Sequence, residues 1–174
     1  MRRENISKSK SSQGKANFHM YEKFKGHISC MCPKCFNIYN IKINYELDTV
    51  SKTDDNIGVT LDASGICKKC NEYKNMIILD GNIAKTISIL NKKGYTTKFC
   101  CEGHKEYAGY IYFSNNVFPY IEKMNVPDSW YIDTKDLSKN KFIIRAKNNI
   151  GINKRINDIE NWAENLPNIT DLNI

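Results

Sequence analysis

Two pairs of cysteines, each with a two-residue gap, constrain the fold of this chain more than any other feature. The pairs are Cys32 with Cys35 and Cys67 with Cys70. A Cys-x-x-Cys turn brings two sulfurs to one side of a metal ion, and a second such turn completes a tetrahedral shell. The pattern predicts one structural zinc ion held by all four thiolates, in the layout of a zinc ribbon.

Two alternatives to this zinc site follow from the same residues. Cys30 is an alternative ligand to Cys32, although the two-residue gap to Cys35 favours Cys32. Alternatively, each Cys-x-x-Cys pair is a redox motif. This alternative is less favoured because neither pair is followed by a helix of the kind that lowers a thiol pKa. Four cysteines leave no open coordination position, so we expect the zinc to stabilise the fold rather than to catalyse.

The cysteine count and the composition indicate a globular protein of a reducing compartment. Five of the seven cysteines lie in two tight clusters, which suits metal binding better than a secreted disulfide framework. Hydrophobic residues make up 41% of the chain, and no apolar run approaches the roughly 20 residues that span a bilayer. Because no secretory signal is recognisable, we expect a cytoplasmic protein without membrane contact, in a bacterium or a phage-infected host cell.

The periodicity of apolar residues predicts an α+β fold. Apolar and polar residues alternate from Tyr39 to Leu47, which is typical of a half-buried strand. From Ile83 to Leu90 the apolar residues recur at helical spacing, and Asp80 is placed to cap that helix. Further strand and helix patterns follow, which predicts helices packed on a mainly antiparallel sheet.

We divide the chain into three parts. Residues 1–17 form a polar, basic arm that we expect to be disordered. Residues 18–79 form a zinc-ribbon-like lobe. Residues 80–174 form an α+β domain packed on that lobe, with a small sheet and two or three helices. Because few residues separate Cys70 from Asp80, we expect the two lobes to share a core.

The net charge of +7 is concentrated near the N-terminus. Residues 1–28 hold seven basic and two acidic residues, which accounts for +5 of that charge. An arm of this kind binds along the phosphates of a nucleic acid or to an acidic protein surface. In the alternative interpretation, it only keeps the chain soluble. The basic residues that we expect to contact nucleic acid or another partner are Arg2, Arg3, Lys8, Lys10 and Lys15.

A second chemical cluster, Cys100, Cys101 and His104, follows a predicted strand. Cys101 and His104 are candidates for a second metal site, or for a thiol nucleophile and its base. Gly103 between them allows a ligand to approach the backbone closely. In the structural alternative, the two adjacent cysteines face opposite sides of a strand and one of them lies in the core.

Tyrosines are numerous near the second predicted sheet. Such residues stack on bases, anchor a protein interface or simply pack a small sheet, and packing is the commonest role. They are Tyr107, Tyr110, Tyr112, Tyr120 and Tyr131.

The segment from Leu90 to His104 has the pattern LNxxGYxTxxCCxGH. In this it resembles uncharacterised proteins of Firmicutes and their phages, which often carry a zinc knuckle just upstream. The resemblance covers residues 30–114 and implies a fold relationship without an established activity. More remotely, the helix–strand–Cys-x-Gly–strand pattern is similar to the tRNA wybutosine-synthesising methyltransferase family, which has Ser-Cys-Ser-Gly-Arg where this chain has Cys-Cys-Glu-Gly-His. That similarity implies a methyltransferase activity.

Together these features favour a non-enzymatic, zinc-stabilised protein that binds nucleic acid or a nucleoprotein complex. The sequence contains no phosphate-binding glycine loop, zinc-protease motif or serine-hydrolase motif. If a phage encodes the chain, a small basic zinc protein fits an inhibitor of host defence, such as an anti-CRISPR. The alternatives are an enzyme that modifies RNA or a nucleotide through Cys101 and His104, and a structural accessory subunit that forms a homo-oligomer through surface tyrosines.

Overall fold

The computed structural model describes most of the chain from residue 23 onwards. For 23–27 and 41–46 it describes the backbone alone. The predicted basic arm, residues 1–17, and His104 both lie outside the described residues. The described ranges are 23–46, 64–103, 107–121, 123–133 and 142–172.

Nine strands and three helices make up the regular structure of these ranges. The strands are β1 (Lys23–Met31), β2 (Ile38–Glu46), β3 (Ser64–Cys67), β4 (Glu72–Asn75), β5 (Ile77–Leu79), β6 (Thr97–Gly103), β7 (Ala108–Phe113), β8 (Trp130–Ile132) and β9 (Phe142–Ala146). The helices are α1 (Ala84–Lys92), α2 (Phe118–Ile121) and α3 (Ile152–Asn165). No helix within the described ranges is both long and apolar enough to cross a membrane.

The strands pair into three antiparallel sheets. In the first sheet, β1 lies between β2 and β5. In the second, β3 and β4 form a two-stranded hairpin. The third has four strands in the order β6-β7-β9-β8. Small antiparallel sheets with three helices confirm the predicted α+β class.

The local patterns explain where the elements begin and end. The alternating segment forms β2, and the helically spaced segment forms α1. The predicted cap of α1 was wrong, because the helix begins at Ala84 and the Asp80 carboxylate instead accepts a hydrogen bond from the Glu102 N–H at 3.0 Å. At the other end, Gly94 has a φ of 92°, a left-handed conformation that glycine adopts without a Cβ clash.

Helices α1 and α3 cover one face of the four-stranded sheet and form the main core with it. Met31 of β1 and Leu79 of β5 belong to the same core. Trp130 is its largest fully buried side chain, and its Nε1–H donates to the main-chain oxygen of Arg155 at 2.9 Å. The fully buried members from the helices and the sheet include Ile87, Leu90, Ile111, Phe113, Ile144, Ile159 and Ala163.

Candidate metal centre and an aromatic sheet face

The first Cys-x-x-Cys turn connects β1 to β2. Its backbone is closed by two hydrogen bonds of 2.9 Å, from the N–H of Phe36 to the oxygen of Cys32 and from the N–H of Cys32 to the oxygen of Asn37. Phe36 has a φ of 57°, which is uncommon for a bulky residue. The turn therefore keeps its tight geometry even though it places an aromatic residue in a strained conformation.

The second Cys-x-x-Cys turn connects β3 to β4 and repeats the geometry of the first. The Asn71 N–H donates to the oxygen of Cys67 at 2.7 Å, and the Cys70 N–H points to the Cys67 Sγ at 3.4 Å. Asn71 has a φ of 55°, matching Phe36 in the first turn. Both turns are thus folded in the same way around their first cysteine.

The two turns bring the four predicted ligands together. The sulfurs of Cys32, Cys35, Cys67 and Cys70 all lie within 4.8 Å of one another. Across the turns, the Cys32 and Cys70 sulfurs are 4.0 Å apart and the Cys35 and Cys67 sulfurs are 3.6 Å apart. A tetrahedral ion with thiolate bonds of roughly 2.3 Å holds its sulfurs about 3.8 Å apart. This group of four cysteines can therefore hold a metal ion.

Tyr39 contacts this site, although no pattern in the sequence indicates that it does. Its hydroxyl lies 3.1 Å from the Cys67 Sγ, and the Lys69 N–H donates to that hydroxyl at 3.4 Å. The Tyr39 hydrogen bond lowers the pKa of Cys67 to about 6, which favours the thiolate that a metal requires. The hydrogen bond with Cys35, together with burial, raises the pKa of Cys70 to about 12 in the absence of a metal.

An exposed ion pair also joins the two turns. Lys34 of the first turn pairs with Glu72, which directly follows the second turn, and Lys74 pairs with the same carboxylate at 2.6 Å. The hydrogen bond from Lys34, and to a smaller extent the one from Lys74, lowers the pKa of Glu72 to about 2. Pairs this exposed contribute little to stability, so the sulfurs remain the principal connection between the turns.

Cys30 does not join the four-cysteine site. It lies on β1 opposite Tyr39 and Ile78 and packs in a small separate cluster with Ile28 and Met76. Its side chain is fully buried, and burial raises the pKa of its thiol to about 11. Cys30 is therefore a core residue, as its neighbour Cys32 takes the ligand position.

The two cysteines of the second predicted cluster lie on opposite faces of β6. Cys100 pairs with Ile111 and packs against the main core, where burial raises the pKa of its thiol to about 12. Cys101 pairs with Tyr110 on the other face, and burial also raises its pKa. Two side chains on opposite faces cannot bind one ion, and a raised pKa disfavours the thiolate needed by a nucleophile.

Gly103 is the last residue of β6 and lies close to the backbone of β7. It has a φ of 92°, and a Cβ at this position would lie 2.6 Å from the nitrogen of Gly109. The close approach is thus between two strands of the same sheet. Within the described ranges, the four-cysteine group is the one cluster of at least three cysteine, histidine or acidic ligands placed to hold a metal.

The face of the four-stranded sheet that is turned away from α1 and α3 carries aromatic and cationic side chains. A bulge in β6 places both Lys98 and Phe99 against Tyr112 of β7. The rings of Phe99 and Tyr112 are nearly parallel, at 16°, with centroids 5.8 Å apart. The Lys98 Nζ lies 5.4 Å from the centroid of the Tyr112 ring. Strand periodicity alone places Lys98 on the opposite face from Phe99. The sequence therefore did not predict that Lys98, Phe99 and Tyr112 lie together.

Two more aromatic residues and an arginine continue this face across the sheet. The Arg145 guanidinium of β9 lies 5.8 Å from the centroid of the Tyr110 ring and forms an ion pair with Asp133. Tyr131 of β8 is directly opposite Arg145. Phe99 and Tyr131, on the two edge strands, are each 42% exposed. We call this surface the aromatic face, made up of Lys98, Phe99, Tyr110, Tyr112, Tyr131 and Arg145.

The two remaining predicted tyrosines, Tyr107 and Tyr120, do not belong to the aromatic face. Tyr120 packs against the main core, and Tyr107 lies in the turn before β7 with 69% of its surface exposed. The predicted arm contacts, Arg2, Arg3, Lys8, Lys10 and Lys15, lie outside the described residues.

The fold and the site define a small α+β protein with a four-cysteine group suited to a metal ion. Comparison with protein-family models, curated proteins and solved structures gave no match to this chain. The resemblances noted from the LNxxGYxTxxCCxGH segment therefore stay predictions. Any functional assignment has to follow from the geometry of the site and of the aromatic face.

Proposed function

We propose that this chain is a zinc-stabilised binding protein that engages nucleic acid, alone or within a nucleoprotein complex. The observation that carries the proposal is the aromatic face, where four aromatic rings and two cationic side chains share one side of a sheet. Nucleic acids offer flat bases and a charged backbone, and proteins bind them by combining these two kinds of side chain.

The four-cysteine site supports the zinc part of this proposal. All its ligands are thiolates, and a tetrahedral set of four sulfurs is typical of a structural zinc ion. Because no coordination position stays open, the ion would supply folding energy rather than chemistry. Its role is to hold the β3–β4 hairpin against the turn that follows β1.

The charge of the chain supports the nucleic-acid part. The net charge is +7 and the predicted arm contributes much of it. A basic arm beside a binding surface would add phosphate contacts without adding sequence preference. The narrower prediction of a phage-encoded inhibitor of host defence, of the anti-CRISPR type, depends on which nucleoprotein complex is the partner.

Fluorescence anisotropy with labelled oligonucleotides tests the proposal on the full chain. We expect binding to weaken as salt rises from 50 to 200 mM, because phosphate contacts release counterions. Lys98→Gln should reduce the slope of log affinity against log salt by about 1, and removal of residues 1–17 should reduce it further. Lys92→Gln, at the end of α1 across the sheet, is the matched control and should leave the slope unchanged.

Two results would contradict the proposal. Absence of binding to single-stranded and duplex probes alike at 50 mM salt would remove its basis, and so would binding that does not respond to salt. Light scattering on the same samples distinguishes the accessory-subunit alternative. A dimer that Phe99→Ala converts to a monomer would show that the aromatic face contacts a second copy of the chain.

A further inference from the structure

We infer that the aromatic face binds single-stranded nucleic acid, with bases stacked on the ring pair of Phe99 and Tyr112 and on the Arg145 guanidinium that lies over the neighbouring ring of Tyr110. This inference rests on the proposed function and specifies its ligand and its binding surface.

The ring pair is accessible from the edge of the sheet. Phe99 lies on β6, an edge strand, and 42% of its surface is exposed. Its ring is nearly parallel to that of Tyr112, so the two rings form a stacked pair at the edge of the sheet rather than a contact within the core. In a duplex the base planes are covered by their neighbours, whereas an unpaired base presents its plane to such a ring.

The spacing of the rings suits consecutive bases. Tyr110 and Tyr112 lie on the same face of β7, two residues apart, which corresponds to about 7 Å along the strand. Arg145 lies over the Tyr110 ring, and a guanidinium plane is itself a stacking surface for a base. The face therefore offers two adjacent stacking positions, comparable in number to the two or three bases that four-stranded RNA-binding sheets hold.

The Lys98 ammonium lies beside the stacking positions, where the phosphate backbone of a bound strand would pass. The β6 bulge turns Lys98 onto this face, with its Nζ 5.4 Å from the Tyr112 ring centroid. Without the bulge, Lys98 would alternate away from Phe99 and point towards the helices. The same irregularity thus places a ring and a charge next to each other at the edge of the sheet.

Binding measurements on the full chain with three probes test this inference. The probes are a labelled 12-nucleotide single-stranded RNA, the DNA strand of the same sequence, and that DNA annealed to its complement. We expect either single strand, or both, to bind at least tenfold more tightly than the duplex. Phe99→Leu and Tyr112→Leu should each weaken single-strand binding by about 5- to 150-fold, because a base loses its ring partner.

Conservative and distant variants separate stacking from folding. Tyr112→Phe keeps the ring and should bind like the parent chain. Tyr73→Leu removes a more exposed tyrosine, 67% exposed on the β3–β4 hairpin, and should also bind like the parent chain. In the unaltered protein, a 5-iodouracil probe should crosslink under light to the peptides containing β6 or β7, as mapped by mass spectrometry.

The outcomes distinguish this inference from the broader proposal. Equal binding of duplex and single strands, unaffected by Tyr112→Leu, would overturn the inference while the protein remained a nucleic-acid binder. Crosslinks that map only outside β6 and β7 would also overturn it. Failure of all three probes to bind would overturn the inference and the proposed function together.

Discussion

Removing the metal from this protein should release the β3–β4 hairpin while the rest of the fold stays intact. In this experiment the proposed zinc is chelated and the chelator is then removed. Reducing conditions are kept throughout, so that the thiols do not oxidise. The expectation follows from where the apolar contacts lie. The main core draws on β1, β5, α1, α3 and the four-stranded sheet, and none of its buried members comes from β3 or β4.

The size of the effect follows from what holds the hairpin in place. Cys67 is the one buried residue in the two strands of the hairpin, so the hairpin gains little from apolar burial. Ordering the 12 residues from 64 to 75 costs roughly 18 kcal/mol in conformational entropy, at about 1.5 kcal/mol per residue. A structural zinc ion supplies about 10–16 kcal/mol of apparent binding free energy, which offsets most of that cost. Without it, the hairpin has too few other contacts to stay ordered.

Hydrogen exchange followed by mass spectrometry measures this release directly. In the metal-bound protein, the amides of residues 64–75 should be protected, and after chelation their protection should fall to near that of an unfolded chain. The amides of α1, α3 and β7 should keep their protection. Elemental analysis of the same sample should give one zinc per chain. Cys35→Ser should reproduce the effect of chelation, and Cys101→Ser, outside the site, should not.

Three results would refute this reasoning. A hairpin that stays protected after complete metal removal would show that the sulfurs are not its principal support. Cooperative unfolding of the whole chain would show that the metal site and the main core are not separable. Protein that is purified without any bound metal and still has a protected hairpin would refute the zinc assignment itself, and two zinc ions per chain would point to a second site that includes residues outside the described ranges.

Substitutions at three positions test other parts of the fold through the free energy of unfolding in urea. Asn71→Val should cost about 1–2 kcal/mol and Asn71→Gly almost nothing, because residue 71 has a φ of 55°; equal costs would contradict this. Trp130→Phe should cost about 1–3 kcal/mol, since it removes buried volume and the hydrogen bond to Arg155, and a neutral result would show that the site repacks. Gly103→Ala should cost at least about 2 kcal/mol because its Cβ would lie 2.6 Å from the Gly109 nitrogen, and an unchanged midpoint would refute that contact.

Much of the fold could be predicted because its signals are local. Alternation identified β2, and helical spacing identified α1, since each pattern follows from the period of one element. The first strand, β1, was not predicted, because Lys23–Met31 has no clean alternation and includes Gly26. The hairpin strands were also missed, because with one buried residue between them they carry almost no apolar pattern.

The sequence by itself determined which four cysteines could hold a metal ion, because a Cys-x-x-Cys turn sets its sulfur geometry within a few residues of chain. Only the tertiary structure decided the rest of the chemistry. It placed the Tyr39 hydroxyl against Cys67, it separated Cys100 from Cys101, and a bulge in β6 turned Lys98 onto the aromatic face. Each of these depends on which strands pair and in which register, and pairing between distant strands is set by the packing of the whole core rather than by any local pattern.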